Sequence, residues 1–184
     1  MIILGVDEVG RGSWAGPLVA GAVILKSPID GLTDSKLLSK KQREKLSAQI
    51  LQFSDAYALG WVSPKIIDKL GLTASVRLAM QRAVKRISVS YDQLIVDGNI
   101  NYLSSIAKSK AIVRADLSVA SVSAASVIAK VARDEYMKNQ SMLYPQYGFD
   151  SNVGYGTAKH LSALKLVGLC PLHRLSYRPV AAFL

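Results

Sequence analysis

Three short apolar runs in this chain each stop at an acidic residue, and this pattern restricts the folds open to the chain. The runs and their acids are Met1–Val6 before Asp7, Gln93–Val96 before Asp97, and Lys110–Ala115 before Asp116. Short apolar runs bounded by turn residues are typical of buried β-strands. Longer segments with helical periodicity separate them, so we predict an α/β fold with helices on the faces of one sheet.

The rest of the chain adds two strands and four helical segments to this prediction. Strands are expected over Leu18–Leu25 and Ala56–Val62, and helices over Ser39–Phe53, Ile66–Ile87 with a break at Gly71, Ser118–Met137 and Thr157–Val167. Residues 33–36 are expected to begin the first of these helices. With 184 residues and no linker, we expect a single domain, 1–184, in which residues 138–184 form a C-terminal helical segment.

The acids at the strand ends indicate a metal site. Ends of neighbouring strands lie close together, and ligand sites of α/β sheets gather there. Candidates for one cluster are therefore Asp7, Glu8, Asp97 and Asp116. Carboxylates without His or Cys suit Mg²⁺ or Mn²⁺, and two such ions support in-line phosphoryl transfer. A single acid after a strand is more often a turn or cap residue, so that alternative stays open for each.

Two acids have open assignments. Glu8 points away from Asp7 in an ideal strand, so it joins the cluster only if the chain bends after Asp7. Asp134 lies late in a helix rich in Ala and Ser. It is either a fourth acid of the cluster or a partner of Lys130 or Arg133 on the helix surface.

Charge and cysteine content narrow the range of partners. Lys and Arg outnumber Asp and Glu by 23 to 13, a net charge of +10. This surplus favours a polyanion such as nucleic acid, with a basic surface that has no partner as the alternative. Cys170 is the only cysteine, so neither an internal disulfide nor a cysteine zinc site is expected. No signal peptide or membrane-spanning run is visible, and we predict a cytoplasmic protein that binds no membrane.

Seven motifs, taken together, resemble ribonuclease HII. In chain order they are GVDEVGRGSWAGP from Gly5, DSK at Asp34–Lys36, VDGN at Val96–Asn99, RAD at Arg114–Asp116, SAASVIAKVARD at Ser123–Asp134, GYGT at Gly154–Thr157 and HR at His173–Arg174. No single motif is specific, but their combination over nearly the whole chain is. The resemblance implies a ribonuclease H-like mixed sheet flanked by helices, with a C-terminal helical appendage.

The resemblance also implies an activity. A member of this family is expected to hydrolyse the RNA strand of RNA–DNA hybrids. It is also expected to cut 5′ of a single ribonucleotide within duplex DNA, leaving 3′-hydroxyl and 5′-phosphate ends. Two ions of Mg²⁺ or Mn²⁺ would be held by the family's four acids, which correspond here to Asp7, Glu8, Asp97 and Asp116.

The same resemblance assigns substrate contacts. Gly10, Arg11 and Gly12 are expected to recognise the 2′-hydroxyl of the ribonucleotide, largely through their backbone, since this group distinguishes RNA from DNA. Tyr155 matches the tyrosine that packs on the sugar after the ribonucleotide. Ser13 stands where proline is frequent in the family, which leaves the stiffness of this turn open.

The roles of one lysine and both histidines stay open. Lys36, at the expected helix start, suits phosphate binding, although a solvated lysine is equally expected there. His160 and His173 are more often structural than catalytic, although a histidine near the reacting water can shuttle protons. Cys170 is expected to be a buried small residue.

Two other functions compete with this one. A non-catalytic hybrid-binding protein could keep the fold, but the complete set of acids argues against it. A protein of the ribonuclease HIII type cuts long hybrids and handles single ribonucleotides poorly. Such proteins usually carry an extra N-terminal domain, whereas this chain starts at its first strand and has Tyr155. We expect a monomer, and residues 178–184 show no clear sliding-clamp-binding motif.

Overall fold

A mixed five-stranded sheet forms the centre of the computed structural model, which describes residues 1–184. The strands are β1 (Ile3–Val9), β2 (Leu18–Leu25), β3 (Ser54–Val62), β4 (Gln93–Asp97) and β5 (Ser109–Ile112). Their order across the sheet is β3-β2-β1-β4-β5. Strand β2 is antiparallel to its two neighbours, β1 and β3, whereas β4 runs parallel to both β1 and β5. The predicted α/β class is confirmed, and the sheet is mixed.

Helices cover both faces of the sheet and form the C-terminal region. They are α1 (Lys40–Phe53), α2 (Pro64–Leu70), α3 (Leu72–Val84), α4 (Ala120–Leu143), α5 (Phe149–Asn152), α6 (Ala158–Val167) and α7 (Arg178–Ala181). Helix α3 packs on the face that carries Val6 and Ala22. Helix α4 packs on the other face, so closely that a Cβ at Gly5 would lie 2.2 Å from the backbone of Ser121. No helix is both long enough and apolar enough to cross a membrane.

The first helix begins at Lys40, later than predicted. Ser39 and Gln42 form a capping box: the Gln42 N–H donates to Ser39 Oγ at 3.3 Å, and the Ser39 N–H donates to Gln42 Oε1 at 2.8 Å. These bonds satisfy two N–H groups at the helix start. Lys36 therefore lies in the preceding turn, where its N–H donates to Asp34 Oδ1. Its side chain is 83% exposed.

The fifth strand ends at Ile112 rather than at Ala115, so Asp116 does not follow a strand directly. Arg114 has a left-handed backbone with φ 56°. This reversal leads into a short 3-10 turn, Ala115–Leu117, which carries Asp116. A non-glycine residue in this region is uncommon, and the apolar pattern of the run gives no sign of the reversal.

The C-terminal region packs against the loop between β1 and β2. Helix α4 continues through residue 138 to Leu143, and the shorter helices that follow surround a cluster that includes Tyr147, Phe149 and Leu164. An isolated antiparallel bridge joins Ala15 in the loop to His173 near the C-terminus. The C-terminal region is therefore built around the loop that follows the first acids.

Candidate active site

Three carboxylates meet where β1 and β4 approach their C-terminal ends. Oxygen atoms of Asp7, Asp97 and Asp116 all lie within 4.8 Å of one another. The first two come from adjacent parallel strands, and Asp116 comes from the 3-10 turn. The Ala115 N–H donates to Asp97 Oδ1 at 2.7 Å, which fixes that turn against the end of β4. The structure thus brings together three of the four acids proposed from sequence.

Two of the three carboxylates, those of Asp7 and Asp116, are buried, and burial raises the pKa of each. Asp7 is only 7% exposed and Asp116 only 5%. Burial, followed by the charge of Glu8, raises the pKa of Asp7 well above its usual range. Burial, followed by the charge of Asp97, raises the pKa of Asp116. Crowded, desolvated carboxylates are costly as anions unless a cation joins them. Three such oxygens fit a hard divalent cation such as Mg²⁺ or Mn²⁺.

Glu8 lies beside this group but not within it. Strand β1 continues to Val9, so the chain does not bend directly after Asp7. One carboxylate oxygen of Glu8 lies 3.1 Å from Nη1 of Arg11. Burial raises the pKa of Glu8, Arg11 opposes this rise, and the charge of Asp97 adds to it. The charge of Asp97 therefore acts on Glu8, although the Glu8 carboxylate forms its ion pair with Arg11.

Asp134 also lies outside the group of three. Its carboxylate accepts a hydrogen bond from Lys130 Nζ at 2.7 Å, one turn earlier on α4. Of the two interpretations left open by the sequence, the structure has the ion pair on the helix.

Lys36 lies close enough to Asp116 for its charge to oppose the rise in the pKa of that acid.

The turn after β1 leaves three consecutive backbone N–H groups without an acceptor in the chain. They belong to Gly10, Arg11 and Gly12. Gly10 has φ 92°, and a Cβ there would lie 2.4 Å from Nε of Arg133, so the fold itself requires glycine. Gly12 is exposed, its φ is not left-handed, and a Cβ there would meet nothing within 4 Å. Nothing inside the chain accounts for glycine at position 12.

Comparison with known proteins decides the family. The family model described as Ribonuclease HII matches residues 4–180. A ribonuclease HII of Burkholderia cenocepacia is 48% identical over 185 residues, covering 100% of this chain and 86% of the relative. This chain belongs to the ribonuclease HII family.

Two solved structures share the fold. The ribonuclease H2 of Pyrococcus horikoshii superposes with a TM-score of 0.85 at 28% identity, covering 100% of this chain and 97% of that one. The Bst ribonuclease HIII, whose crystal structure is a complex with Mn²⁺, gives a TM-score of 0.73 at 19% identity. That match covers 98% of this chain and 68% of the other. Members of the ribonuclease HII family are metal-dependent endonucleases that act on RNA–DNA hybrids, and this chain is such an enzyme.

A buried arginine supports the glycine-rich loop that follows β1, whereas one of the two interpretations left open by the sequence placed it on the helix surface beside Asp134. Arg133, in α4, is 0% exposed. Its guanidinium donates to three backbone carbonyls, those of Ala15, Pro17 and Val153, at 2.9–3.1 Å. Burial lowers its pKa to about 10. Its partners are loop carbonyls distant in sequence, and no periodic signal identifies them.

A second buried arginine, Arg174, reaches the same loop from the C-terminal region. Its Nε and Nη2 donate to the carbonyl of Gly16 at 3.0 and 2.9 Å. Its Nη1 donates to the carbonyl of Arg11 and to the hydroxyl of Tyr177. Burial lowers the pKa of Arg174. The HR motif contained this residue, but its contacts could not be inferred from the motif alone.

Tyr155 is half-buried, and both its backbone N–H and its backbone carbonyl form hydrogen bonds within the chain. Its N–H donates to the carbonyl of Asn152 at 2.9 Å, and its carbonyl lies 2.9 Å from Nδ1 of His160. The guanidinium carbon of Arg133 lies 5.6 Å from the centre of its ring. His160 and His173 are buried, and their Nε2 atoms lie 3.0 Å apart.

Proposed function

We propose that this ribonuclease H cuts on the 5′ side of single ribonucleotides in duplex DNA as well as cutting RNA–DNA hybrids. The products carry 3′-hydroxyl and 5′-phosphate ends. Asp7, Asp97 and Asp116 would hold two ions of Mg²⁺ or Mn²⁺, and Glu8, whose carboxylate pairs with Arg11 in this structure, would turn to them as the fourth ligand. When bound, these cations supply the charge that activates the attacking water and stabilises the leaving oxygen.

The glycine at position 12 is the observation that best supports incision at a single ribonucleotide. Because neither the backbone conformation nor internal packing requires glycine there, the missing side chain leaves room for something outside the chain. The free N–H groups of Gly10, Arg11 and Gly12 are donors suited to a hydroxyl oxygen. A ribose has a 2′-hydroxyl and a deoxyribose does not, so a donor set at this place distinguishes the two sugars.

Other residues complete the substrate surface in this proposal. Tyr155 packs on the sugar that follows the ribonucleotide, and Lys36, which is exposed and near Asp116, contacts a backbone phosphate. The net charge of +10 suits a duplex polyanion. The enzyme acts in the cytoplasm as a monomer.

Cleavage of three end-labelled duplexes of one sequence tests the proposal. One duplex contains a single ribonucleotide, the second is a continuous RNA–DNA hybrid, and the third is all DNA. With Mg²⁺ or Mn²⁺, we expect one incision 5′ of the single ribonucleotide, cleavage along the hybrid, and an intact DNA duplex. Cleavage of the hybrid with the single-ribonucleotide duplex left intact contradicts the finer proposal.

A further inference from the structure

The backbone carbonyl of Arg11 is held by two donors from the C-terminal region. The hydroxyl of Tyr177 donates to it at 2.5 Å, and Nη1 of Arg174 donates to it at 3.1 Å. The same Nη1 donates to the Tyr177 hydroxyl at 2.9 Å, so the three groups form a closed triangle of hydrogen bonds. We call Arg174 and Tyr177 the carbonyl clamp. It holds the one peptide whose N–H belongs to Gly12.

The clamp is fixed in place at several points. Arg174 is 0% exposed, and its other two nitrogens donate to the carbonyl of Gly16. Its backbone N–H donates to the carbonyl of Trp14 at 2.8 Å. Asp68, in α2, accepts hydrogen bonds from the two backbone N–H groups that follow Arg174. A planar guanidinium that bridges two carbonyls of one loop resists rotation of either.

Peptide geometry transmits this restraint to the other side of the loop. The peptide between Arg11 and Gly12 is trans and planar, so its carbonyl and its N–H point in opposite directions. Fixing the carbonyl against Arg174 and Tyr177 therefore fixes the direction of the Gly12 N–H. That N–H has no acceptor in the chain, and Gly12 is exposed. The clamp thus aims a free donor out of the protein.

We propose that Arg174 and Tyr177 are positioning residues for ribose recognition, acting through the Arg11–Gly12 peptide rather than by touching the substrate. This inference rests on the proposed function, in which the Gly12 N–H meets the 2′-hydroxyl. A donor already aimed needs no reordering when the substrate binds, which favours the substrate that has the hydroxyl. Loosening the clamp then reduces discrimination between ribose and deoxyribose more than it reduces affinity for duplexes in general.

The test measures discrimination rather than rate alone. For each variant, the KM and kcat for a duplex with one ribonucleotide are measured, together with the inhibition constant of an all-DNA duplex of the same sequence used as competitor. Tyr177→Phe removes one donor to the Arg11 carbonyl and keeps the ring, which lies 5.1 Å from the guanidinium carbon of Arg174. The matched control is Tyr147→Phe, which removes a hydroxyl that donates to the Gly168 carbonyl at 2.9 Å, away from the loop.

We expect Tyr177→Phe to lower the ratio of the DNA inhibition constant to the KM by about two- to tenfold, the range of one hydrogen bond. The inhibition constant itself and the melting temperature should stay near those of the unmodified enzyme. Tyr147→Phe should leave the ratio unchanged. Arg174→Lys, which keeps the charge but cannot bridge both carbonyls, should lower the ratio at least as much, and it decides the case if Tyr177→Phe does not fold.

Two results overturn the inference. If folded Tyr177→Phe and Arg174→Lys enzymes keep the full ratio, the clamp has no part in recognition. If the melting temperature falls and affinity for both duplexes falls equally, the clamp is only structural. An unmodified enzyme that does not distinguish the two duplexes instead contradicts the proposed function, and the inference falls with it.

Discussion

The carboxylate of Asp97 accepts a hydrogen bond from the backbone N–H of Ala115 at 2.7 Å. This single bond links the end of β4 to the 3-10 turn that carries Asp116. A third acid therefore reaches the site although the strand before it ends four residues earlier, at Ile112.

Gly12→Ala should separate folding from recognition. An added Cβ meets nothing within 4 Å, so the melting temperature should be kept or rise slightly, because alanine restricts the unfolded chain. Cleavage at a single ribonucleotide should fall at least about tenfold if the methyl group occupies the place of the ribose. The matched contrast is Gly21→Ala, whose Cβ would lie 2.3 Å from the carbonyl oxygen of Ala125, and which should lower the melting temperature. A folded Gly12→Ala enzyme with unchanged cleavage rejects this role for Gly12.

Tyr155→Ala should impair cleavage of the single-ribonucleotide duplex by roughly ten- to a hundredfold, since an aromatic contact to nucleic acid is worth about 1–3 kcal/mol. A continuous hybrid should be affected less. Tyr155→Phe keeps the ring and should lose less on either substrate. Steady-state kinetics on both substrates, with thermal melts of both variants, check this expectation. Equal losses on the two substrates, together with a lower melting temperature, would indicate that Tyr155 only packs the C-terminal region.

Asp7→Asn should stabilise the enzyme in the absence of divalent metal. Burial and the charge of Glu8 raise the folded-state pKa of Asp7, so the unfolded state loses its proton at lower pH than the folded state. Stability is therefore lost as the pH rises from about 4 through the folded pKa. At neutral pH, an amide in place of the carboxylate should raise the melting temperature by several degrees.

Adding Mn²⁺ should make the unmodified enzyme, rather than Asp7→Asn, the one with the higher melting temperature. The cation should raise the melting temperature of the unmodified enzyme and have little effect on Asp7→Asn, because binding to the folded state alone is stabilising. Asp150→Asn, at an exposed acid of α5, is the control and should behave like the unmodified enzyme. An Asp7→Asn variant that is less stable than the parent without metal would show that the buried Asp7 carboxylate does not destabilise the fold.

The pair His160 and His173 should make the fold sensitive to acid. The N–H of Cys170 donates to His173 Nδ1 at 2.9 Å, so Nε2 of His173 carries the proton that lies between the two rings, and Nδ1 of His160 donates to the carbonyl of Tyr155. Burial lowers the pKa of both histidines, that of His173 to about 4. Both rings are therefore neutral in this network.

The direction of the pH effect follows from these lowered values. In the unfolded state His173 binds a proton below about pH 6.5, whereas in the folded state it binds one only below about pH 4. The pKa of His160 is lowered in the same direction. The histidine pair should lower the free energy of unfolding by about 1–3 kcal/mol as the pH drops through this window, whereas the raised pKa of Asp7 acts in the opposite direction. Urea unfolding of the parent and of His173→Gln at several pH values separates the two contributions, because the substitution removes only the first. A difference in stability between the two proteins that does not change with pH would contradict the neutral pair.

Much of the framework was accessible from local sequence signals. The bounds predicted for β2, Leu18–Leu25, agree with the structure, and the helix break at Gly71 is present. Helix α6 lies within the predicted range Thr157–Val167, and Thr157 caps it by accepting a hydrogen bond from the N–H of His160. These features depend on neighbours within a few residues, which is the range over which apolar period and capping chemistry act.

The features that were missed depend on residues far apart in the chain. Arg133 donates to Pro17, 116 residues away, and Arg174 to Arg11, 163 residues away. An arginine is expected at the surface, and the loop carbonyls that justify burying one carry no side-chain signature. Asp116 was included in the cluster for its place after an apolar run, yet it reaches the cluster through a turn that the run did not indicate.

The activity of Asp97→Asn on a duplex with one ribonucleotide tests the account most directly. The Asp97 carboxylate lies within the group of three acids, and it accepts the hydrogen bond that holds the turn carrying Asp116. An asparagine side chain has almost the same volume as the aspartate that it replaces. With Mg²⁺ or Mn²⁺ present, and with circular dichroism and melting temperature close to those of the parent, we expect cleavage to fall by more than about a hundredfold. The parent should likewise be inactive in the presence of EDTA. A folded, contaminant-free Asp97→Asn enzyme that still incises 5′ of the ribonucleotide at a rate near that of the parent would contradict the claim that these three carboxylates form the catalytic metal site.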